Sequence, residues 1–256
     1  MRFNFLTTFL LSGFVCLLLI SCSEKTEQLQ TDQVADFVNL QPGKYITYRT
    51  DSLVFPNFGR NTATHKYQEK HLIDAQITDN EGRLSYRVFR FIRDSAGTQP
   101  WKNRGTYFIT PVGDQLEVIE DNLRFVKLHM PIREGFSWKG NTHLGDNPYQ
   151  TLYAFSNDDD MPNWDFYYDN FAPTITYKGQ TYNDVWTIEA AEENFHIPIV
   201  DPNLYATKTR AFERYARGIG LVYREYEMWE YQPNPGGTGG PFKTGFGVTQ
   251  WMIDHN

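Results

Sequence analysis

Arg83-Leu84-Ser85-Tyr86-Arg87-Val88-Phe89-Arg90-Phe91-Ile92-Arg93 decides the fold class. Leu84, Tyr86, Val88 and Ile92 recur at period two, the side-chain period of an extended strand and not of a helix. The stretch holds no Gly or Pro and is rich in aromatic and β-branched residues, which suit a pleated surface. Just before it, His65–Ile77 runs into Asp79-Asn80-Glu81-Gly82, a hairpin-like turn. Just after it, Asn103–Val112 ends around Pro111 and Gly113-Asp114, and Gln115–Glu120 and Leu123–Met130 flank a tight Asp121-Asn122 turn.

The same rhythm continues outward. Lys44–Phe55 reads as a strand broken at Pro56-Asn57, and Thr151–Phe155, Thr174–Lys178, Tyr182–Ala190, Gly220–Tyr231 and Gly247–Ile253 read as further strands, with a turn at Lys178-Gly179. Asn203–Arg217 fits a helix through Leu204, Lys208, Ala211, Phe212 and Tyr215, or a strand; the strand is favoured, because Gly220 onward then supplies its hairpin partner. Pro233 to Gly247 is so rich in Gly and Pro that it reads as a loop. About ten to twelve short strands at hairpin spacing predict a mainly β protein. The expectation is a single antiparallel sheet domain over 41–256, an open barrel or a sandwich.

Composition agrees. In 256 residues there are 19 Phe, 16 Tyr and 6 Trp beside 19 Gly and 13 Pro. The net charge of −7, with no basic block, argues against a dedicated nucleic-acid binder. Two cysteines are too few for a disulfide scaffold or a Cys-based zinc site.

The N-terminus reads as an address. Arg2 precedes a mostly apolar run, Phe3 to Ile20, which turns polar at Ser23-Glu24-Lys25-Thr26-Glu27. This is the layout of a secretory signal peptide. Asn4, Thr7, Thr8, Ser12 and Gly13 interrupt the run and disfavour a permanent membrane span, which needs about 20 apolar residues. Leu19-Ile20-Ser21-Cys22 resembles the lipobox of bacterial lipoproteins. That resemblance implies removal of residues 1–21 and acylation of Cys22, the membrane attachment. Cys16 then leaves with the leader and Cys22 is acylated, so no free thiol remains. Residues 22–40 form the lipidated N-terminus and a polar tether, ending in a short helical turn through Val34, Phe37 and Val38. Ser23 in place of Asp resembles outer-membrane sorting signals, and Ser23-Glu24-Lys25 partly resembles the surface-export signal of Bacteroidota lipoproteins. An outer-membrane lipoprotein, facing the periplasm or the cell surface, is the expected location.

Tyr215-Ala216-Arg217-Gly218-Ile219-Gly220-Leu221-Val222-Tyr223-Arg224-Glu225 is similar to the Tyr-x-x-Gly-x-Gly-Leu-Val motif of secreted DUF3108-like β-domains. Pro131 with Gly135-Phe136-Ser137-Trp138, and Gly179-Gln180-Thr181-Tyr182-Asn183-Asp184-Val185, resemble two further segments of that group. The resemblance implies an open antiparallel barrel and brings no shared catalytic set. Physically, Gly218 and Gly220 suit a turn at positive φ or a close backbone approach.

Candidate chemistry is sparse. His65, Tyr67, Glu69 and His71 share a strand face, but His65 and His71 lie about 20 Å apart and cannot share an ion; a solvated polar face is the expectation. Asp158 and Asp160, within Asn157-Asp158-Asp159-Asp160 and near Asp165 and Asp169, are weak calcium candidates that lack EF-hand spacing. Glu225 and Glu227 read as ordinary exposed glutamates rather than a glycosidase pair. Arg90 interrupts the apolar face of its strand and needs a partner, either at a sheet end, on an acidic ligand, or on a Glu inside a barrel. Trp164, Phe166, Tyr167 and Tyr168 read as an aromatic loop, and Phe242 and Phe246 flank the Gly-rich loop. No nucleophile elbow or Walker loop is present.

The expected function is therefore that of a non-enzymatic, lipid-anchored envelope protein. It would bind a hydrophobic or glycan ligand, or a partner protein, through Arg90, Trp164 and Tyr167, and no cofactor is expected. Two alternatives are a structural or assembly component of the outer membrane without a small ligand, and a carboxylate-dependent hydrolase. A concave cavity would separate the first reading from the structural one.

Overall fold

The computed structural model describes residues 32–156, 160–234 and 236–256. The leader and Cys22 lie outside the described residues, as does Asp158. Twelve antiparallel strands form one sheet, the order being β6-β5-β4-β3-β2-β1-β12-β11-β10-β9-β8-β7. The strands are β1 (Tyr45–Val54), β2 (Ala63–Thr78), β3 (Leu84–Asp94), β4 (Lys102–Val112), β5 (Gln115–Glu120), β6 (Leu123–His129), β7 (Ser137–Trp138), β8 (Phe166–Tyr177), β9 (Gln180–Phe195), β10 (Ala206–Ala216), β11 (Gly220–Gln232) and β12 (Phe242–His255).

Apart from β1 with β12, every pairing joins strands that are consecutive in sequence, and of the consecutive strands only β6 and β7 do not pair, so the chain is an up-and-down meander whose first and last strands meet. The sheet curls into a nearly closed barrel, and the break in its ladder lies between β6 and β7. Side chains and a single backbone bond bridge that seam. The Val126 amide donates to Gly140 O at 2.8 Å and Trp138 Nε1 donates to Val126 O at 2.8 Å. The Tyr168 hydroxyl accepts from the His129 amide at 3.3 Å and donates to His129 O at 2.9 Å.

The tight turns follow their sequences. Asp121-Asn122 and Lys178-Gly179 both have positive φ at each central residue, the geometry that matches the twist of a two-residue hairpin. Asn203–Arg217 resolves into strand β10 and the turn after it, with Gly218 and Gly220 at φ of 72° and 118°. Gly218 donates its amide to Asp36 O at 2.6 Å, which ties the turn to a short 3-10 helix at Val34–Phe37. Phe37 from that turn is buried in a cluster with Leu116, Leu128, Trp138, Tyr168 and Ile188. Arg217 adds ion pairs to Asp32 and Asp36.

Three local expectations are corrected. Thr151–Phe155 is not a strand: Gln150–Tyr153 is one helical turn ended by Ala154 in the left-handed region, and Tyr149 and Phe155 on either side are buried. The loop expected up to Gly247 ends earlier, because β12 begins at Phe242. Two glycines inside β12 serve close packing: a Cβ on Gly245 would lie 2.2 Å from Met228 O on β11, and one on Gly247 2.8 Å from Leu53 Cβ on β1. The aromatic loop at Trp164–Tyr168 is largely strand. Phe166 and Tyr168 begin β8 and are core residues, Tyr168 being 0% exposed.

Candidate functional site

The barrel interior is not uniformly apolar. Alternation along β10 and β11 sends Glu213 and Tyr215, then Arg224 and Tyr226, inward. Glu213, 3% exposed, accepts from Lys127 Nζ at 3.0 Å, Arg224 Nε at 2.8 Å, the Tyr226 hydroxyl at 2.7 Å and the Tyr215 hydroxyl at 2.8 Å. Lys127 comes from β6, so this pair spans the barrel from strands that are not neighbours. Arg224 reaches on to Glu120 at 3.3 Å, and Glu120 also accepts from Arg90 Nη1 at 2.8 Å. Arg90 gets there by crossing β4 at Gly105, where a Cβ would crowd its guanidinium at 3.2 Å.

This chain of charges is mutually neutralised, and its carboxyls respond. Burial pushes Glu213 up, but Lys127 and Arg224 outweigh it and hold it at about 2. Glu120 is likewise held at about 2 by Arg224 and Arg90 against the effect of burial. Burial draws Lys127 below the ordinary lysine range, against the pull of Glu213. His71 is pulled down to about 3 by burial and is therefore neutral at physiological pH. Its Nδ1 lies 3.1 Å from the Tyr107 hydroxyl, while Nε2 is enclosed without a partner among the described residues.

Above this network opens a cup of about 620 Å³. Its floor presents Glu69, Arg90, Glu120, Lys127, Arg224 and Gln250, its mouth presents Phe55, Phe58, Tyr153 and Phe242, and buried Phe246 backs Tyr153. Tyr153 stacks on Phe246 with ring centroids 3.8 Å apart. Phe58 is 89% exposed at the rim, and the loop carrying it is fastened to β12 by the Lys243 amide donating to Gly59 O at 2.8 Å. Glu69 is 8% exposed, and both its hydrogen bonds, from Thr50 at 3.2 Å and Gln250 Nε2 at 2.6 Å, go to Oε2. Burial, with the charge of Glu120 adding to it, raises its pKa.

The residues singled out from sequence are scattered by the fold. Arg90 lines the cup and meets a Glu inside the barrel, the third of its three expected fates. Phe242 and Phe246 also reach the cup. Trp164 packs against the cluster containing Phe125 and Tyr149 without lining the cup. Tyr167 donates to Glu189 at 2.8 Å on the strand beside it, on the face opposite buried Phe166 and Tyr168. Asp160 accepts from Asn163 Nδ2 at 2.8 Å within its own turn. No group of three metal-ligating side chains occurs among the described residues. The solvated face expected at Tyr67, Glu69 and His71 is corrected: Glu69 and His71 are buried, because this face of β2 turns into the barrel. Glu225 and Glu227, expected as ordinary exposed glutamates, are partly buried outer-face partners of Arg210 at 3.1 Å and Lys208 at 2.6 Å.

Glu120, Lys127, Glu213, Arg224 and Gln250 belong to no motif or constellation that marks a site in the sequence. Lys127 stands between Val126 and Leu128 and alternates like any outward lysine. Its signal was the neighbourhood, since Phe125, Val126, Lys127 and Leu128 are all buried. A period-two pattern assigns the charged face to solvent, and here both faces of the strand are covered.

No protein-family model and no curated protein matches the chain. Among solved structures, the chain is similar to a Bacteroides fragilis protein provisionally designated an exported protein with a YmcC-like fold. The TM-score is 0.40 at 11% identity, covering 86% of this chain and 100% of that one. It is similar to a Parabacteroides distasonis protein provisionally designated a lipoprotein, with a TM-score of 0.39 at 8% identity, covering 88% and 100%. It is also similar to a domain from Vibrio parahaemolyticus provisionally designated an outer membrane lipoprotein-sorting protein, with a TM-score of 0.19 at 14% identity, covering 84% and 85%. None of the three assigns a role to a residue here.

Proposed function

We propose that this is a lipid-anchored protein of the cell envelope whose barrel holds a small amphipathic ligand in its cup. The single observation that carries the ligand reading is the cup itself, a concavity of about 620 Å³ with an aromatic mouth and a charged floor. That volume lies within the ~300–1,000 Å³ range of small-molecule sites. A purely structural envelope component has no need of such a hollow, and the cost of keeping polar groups at its base needs a compensating use. Of the carboxylates the sequence offers a hydrolase, Glu225 and Glu227 point to the outer face, Asp165 pairs with Lys139 at 2.8 Å on the surface, Asp160 accepts from Asn163 within its own turn, and Asp158 lies outside the described residues.

The anchor rests on Leu19-Ile20-Ser21-Cys22. With Asp32 already joined to Arg217 on the barrel, the tether in this reading is 23–31. The outer face of β10 and β11 carries Lys208, Arg210, Glu225 and Glu227, not the apolar band of a strand that faces lipid, so the attachment is through the acyl chains.

Native mass spectrometry on protein extracted from its own envelope tests the ligand. A retained mass lost on Phe58→Ala supports the cup, and a bare polypeptide mass overturns it. Cys22→Ala tests the anchor: metabolic fatty-acid labelling should vanish and the unprocessed precursor accumulate, whereas persistent labelling would overturn the assignment.

A further inference from the structure

Resting on that reading of the cup, we infer that its occupant is the neutral, hydroxyl-rich end of a saccharide. Glu69 would hold one hydroxyl, and the aromatic rim would cover a ring face. Three features of the lining narrow the chemistry. Eight charged side chains line the cup, and an acyl chain laid on that floor would desolvate them without returning a hydrogen bond. The deep cations are already matched, Arg90 by Glu120 and Asp121, and Lys127 and Arg224 by Glu213. A phosphate or carboxylate therefore finds no vacant partner on the floor; the two lining cations without an ion pair among the described residues lie elsewhere, Arg104 exposed to solvent and Lys243 with its Nζ 4.0 Å over the Trp229 ring.

Glu69 decides the sign. Its Oε1 accepts no hydrogen bond among the described residues and is not one of the enclosed, unpartnered atoms, while the residue is nine-tenths buried and lines the cup. A carboxylate oxygen accepts and repels anions, so the ligand must bring a donor. An ammonium donor meets five lining cations against three carboxylates, which leaves a neutral donor. A hydroxyl both donates and accepts, and fits a floor that mixes carboxylate, guanidinium and amide. At the mouth, Phe58, Phe242 and Tyr153, which stacks on the buried Phe246, offer flat apolar surfaces. A sugar ring joins these two requirements, having an apolar face and a hydroxyl edge.

The test is binding by the full lipidated chain in detergent, followed by tryptophan fluorescence and calorimetry. The probes are neutral oligosaccharides ending in hexose, deoxyhexose or N-acetylhexosamine, sialyllactose as an acidic sugar, chitosan trimer as a cationic one, and lysophosphatidylglycerol as an acyl ligand. At least one neutral sugar should bind, tenfold or more weakly to Glu69→Gln and to Phe58→Ala, while both variants keep the thermal midpoint of the parent. Phe58 is exposed, so its variant separates binding from folding. Binding of the lysolipid or sialyllactose alone overturns the saccharide assignment and leaves the cup as a ligand site. Failure of every probe overturns the assignment too, and together with a bare native mass it overturns the ligand reading as well.

Discussion

The barrel carries two sets of ion pairs built from the same residue types, the outer one on β10 and β11 and the inner one on those two strands and β6, and they face opposite ways. On the outside, Arg210 meets Glu225 at 3.1 Å and Lys208 meets Glu227 at 2.6 Å. On the inside, one residue out of phase, Arg224 meets Glu213 at 2.8 Å and Lys127 meets it at 3.0 Å. The lengths are alike, but the surroundings are not. The outer pairs keep roughly a fifth to a quarter of their side-chain surface in water, whereas Lys127 and Glu213 keep 2% and 3%. Exposed pairs exchange hydration for a screened attraction and gain little. Buried pairs depend wholly on their partners, so the inner set binds distant strands into one cooperative unit.

The strongest way to expose that difference is to delete the shared acceptor. Glu213→Ala leaves Lys127 and Tyr226 without their carboxylate and leaves Arg224 with Glu120 alone. Breaking a buried pair from one side costs about 3–5 kcal/mol. For a chain of this size that is a fall in the thermal midpoint on the order of 10 °C. Adding Lys127→Met should recover part of the loss, because it removes the stranded charge. A calorimetric scan of the parent, single and double variants checks both statements; a single variant within a degree of the parent would show that the network is not structural.

Acid sharpens the comparison next. His71 titrates near 3 when folded against an ordinary 6.5, so its stabilising effect is complete above pH 6.5 and is lost as pH falls from there toward 3. Glu120 and Glu213 sit at about 2 against an ordinary 4.5, so their effect is complete above pH 4.5 and declines as pH falls toward 2. Glu69 acts in the opposite direction, since its raised pKa favours the protonated form. Urea midpoints should therefore begin to drop below pH 6.5, before the glutamates titrate. In His71→Phe, whose ring still fits between Tyr48 and Tyr107, the midpoint should stay level down to about pH 4.5. An unchanged slope in the variant would remove His71 from the acid response.

These contrasts also mark how far the sequence could be read. Period-two alternation from Tyr45 to Glu120 placed the first five strands to within two residues at either end, because turns such as Asp79–Gly82 and Asp121-Asn122 punctuate them. It failed where tertiary contact overrode local chemistry. Gly245 and Gly247 looked like loop residues but let β12 pass close to neighbouring strands. Phe166 and Tyr168 looked like a loop because their pairing partners, Trp138 on β7 and Ile188 on β9, lie far away in sequence. The site was harder still. Arg90 could be found, being a charge on an apolar face. Glu213 and Lys127 could not, because alternation tells which residues share a face but not whether that face meets water or the inside of a barrel.

The smallest expected effect falls on the outer ladder and closes the comparison from the other side. Glu225 accepts from Arg210 and from the Tyr223 hydroxyl at 2.9 Å, and Glu227 accepts from Lys208 and from Trp229 Nε1 at 2.6 Å. The four charged groups keep about a fifth to a quarter of their side-chain surface in water, which replaces a lost partner, although Tyr223 and Trp229 themselves are buried. Glu225→Ala and Glu227→Ala should each cost about 0.2–1 kcal/mol, and half-molar salt should shrink even that, since exposed pairs are screened over about 3–10 Å. Salt should leave the Glu213→Ala loss nearly unchanged, because Lys127 and Glu213 keep only 2% and 3% of their side-chain surface in water and buried pairs are screened far less. Chemical denaturation of the three variants at low and high salt measures both halves of the claim. A salt-insensitive loss above 2 kcal/mol at Glu225 would mean that the outer ladder is covered in the native protein, and would move the structural centre of charge from the inside of the barrel to its surface.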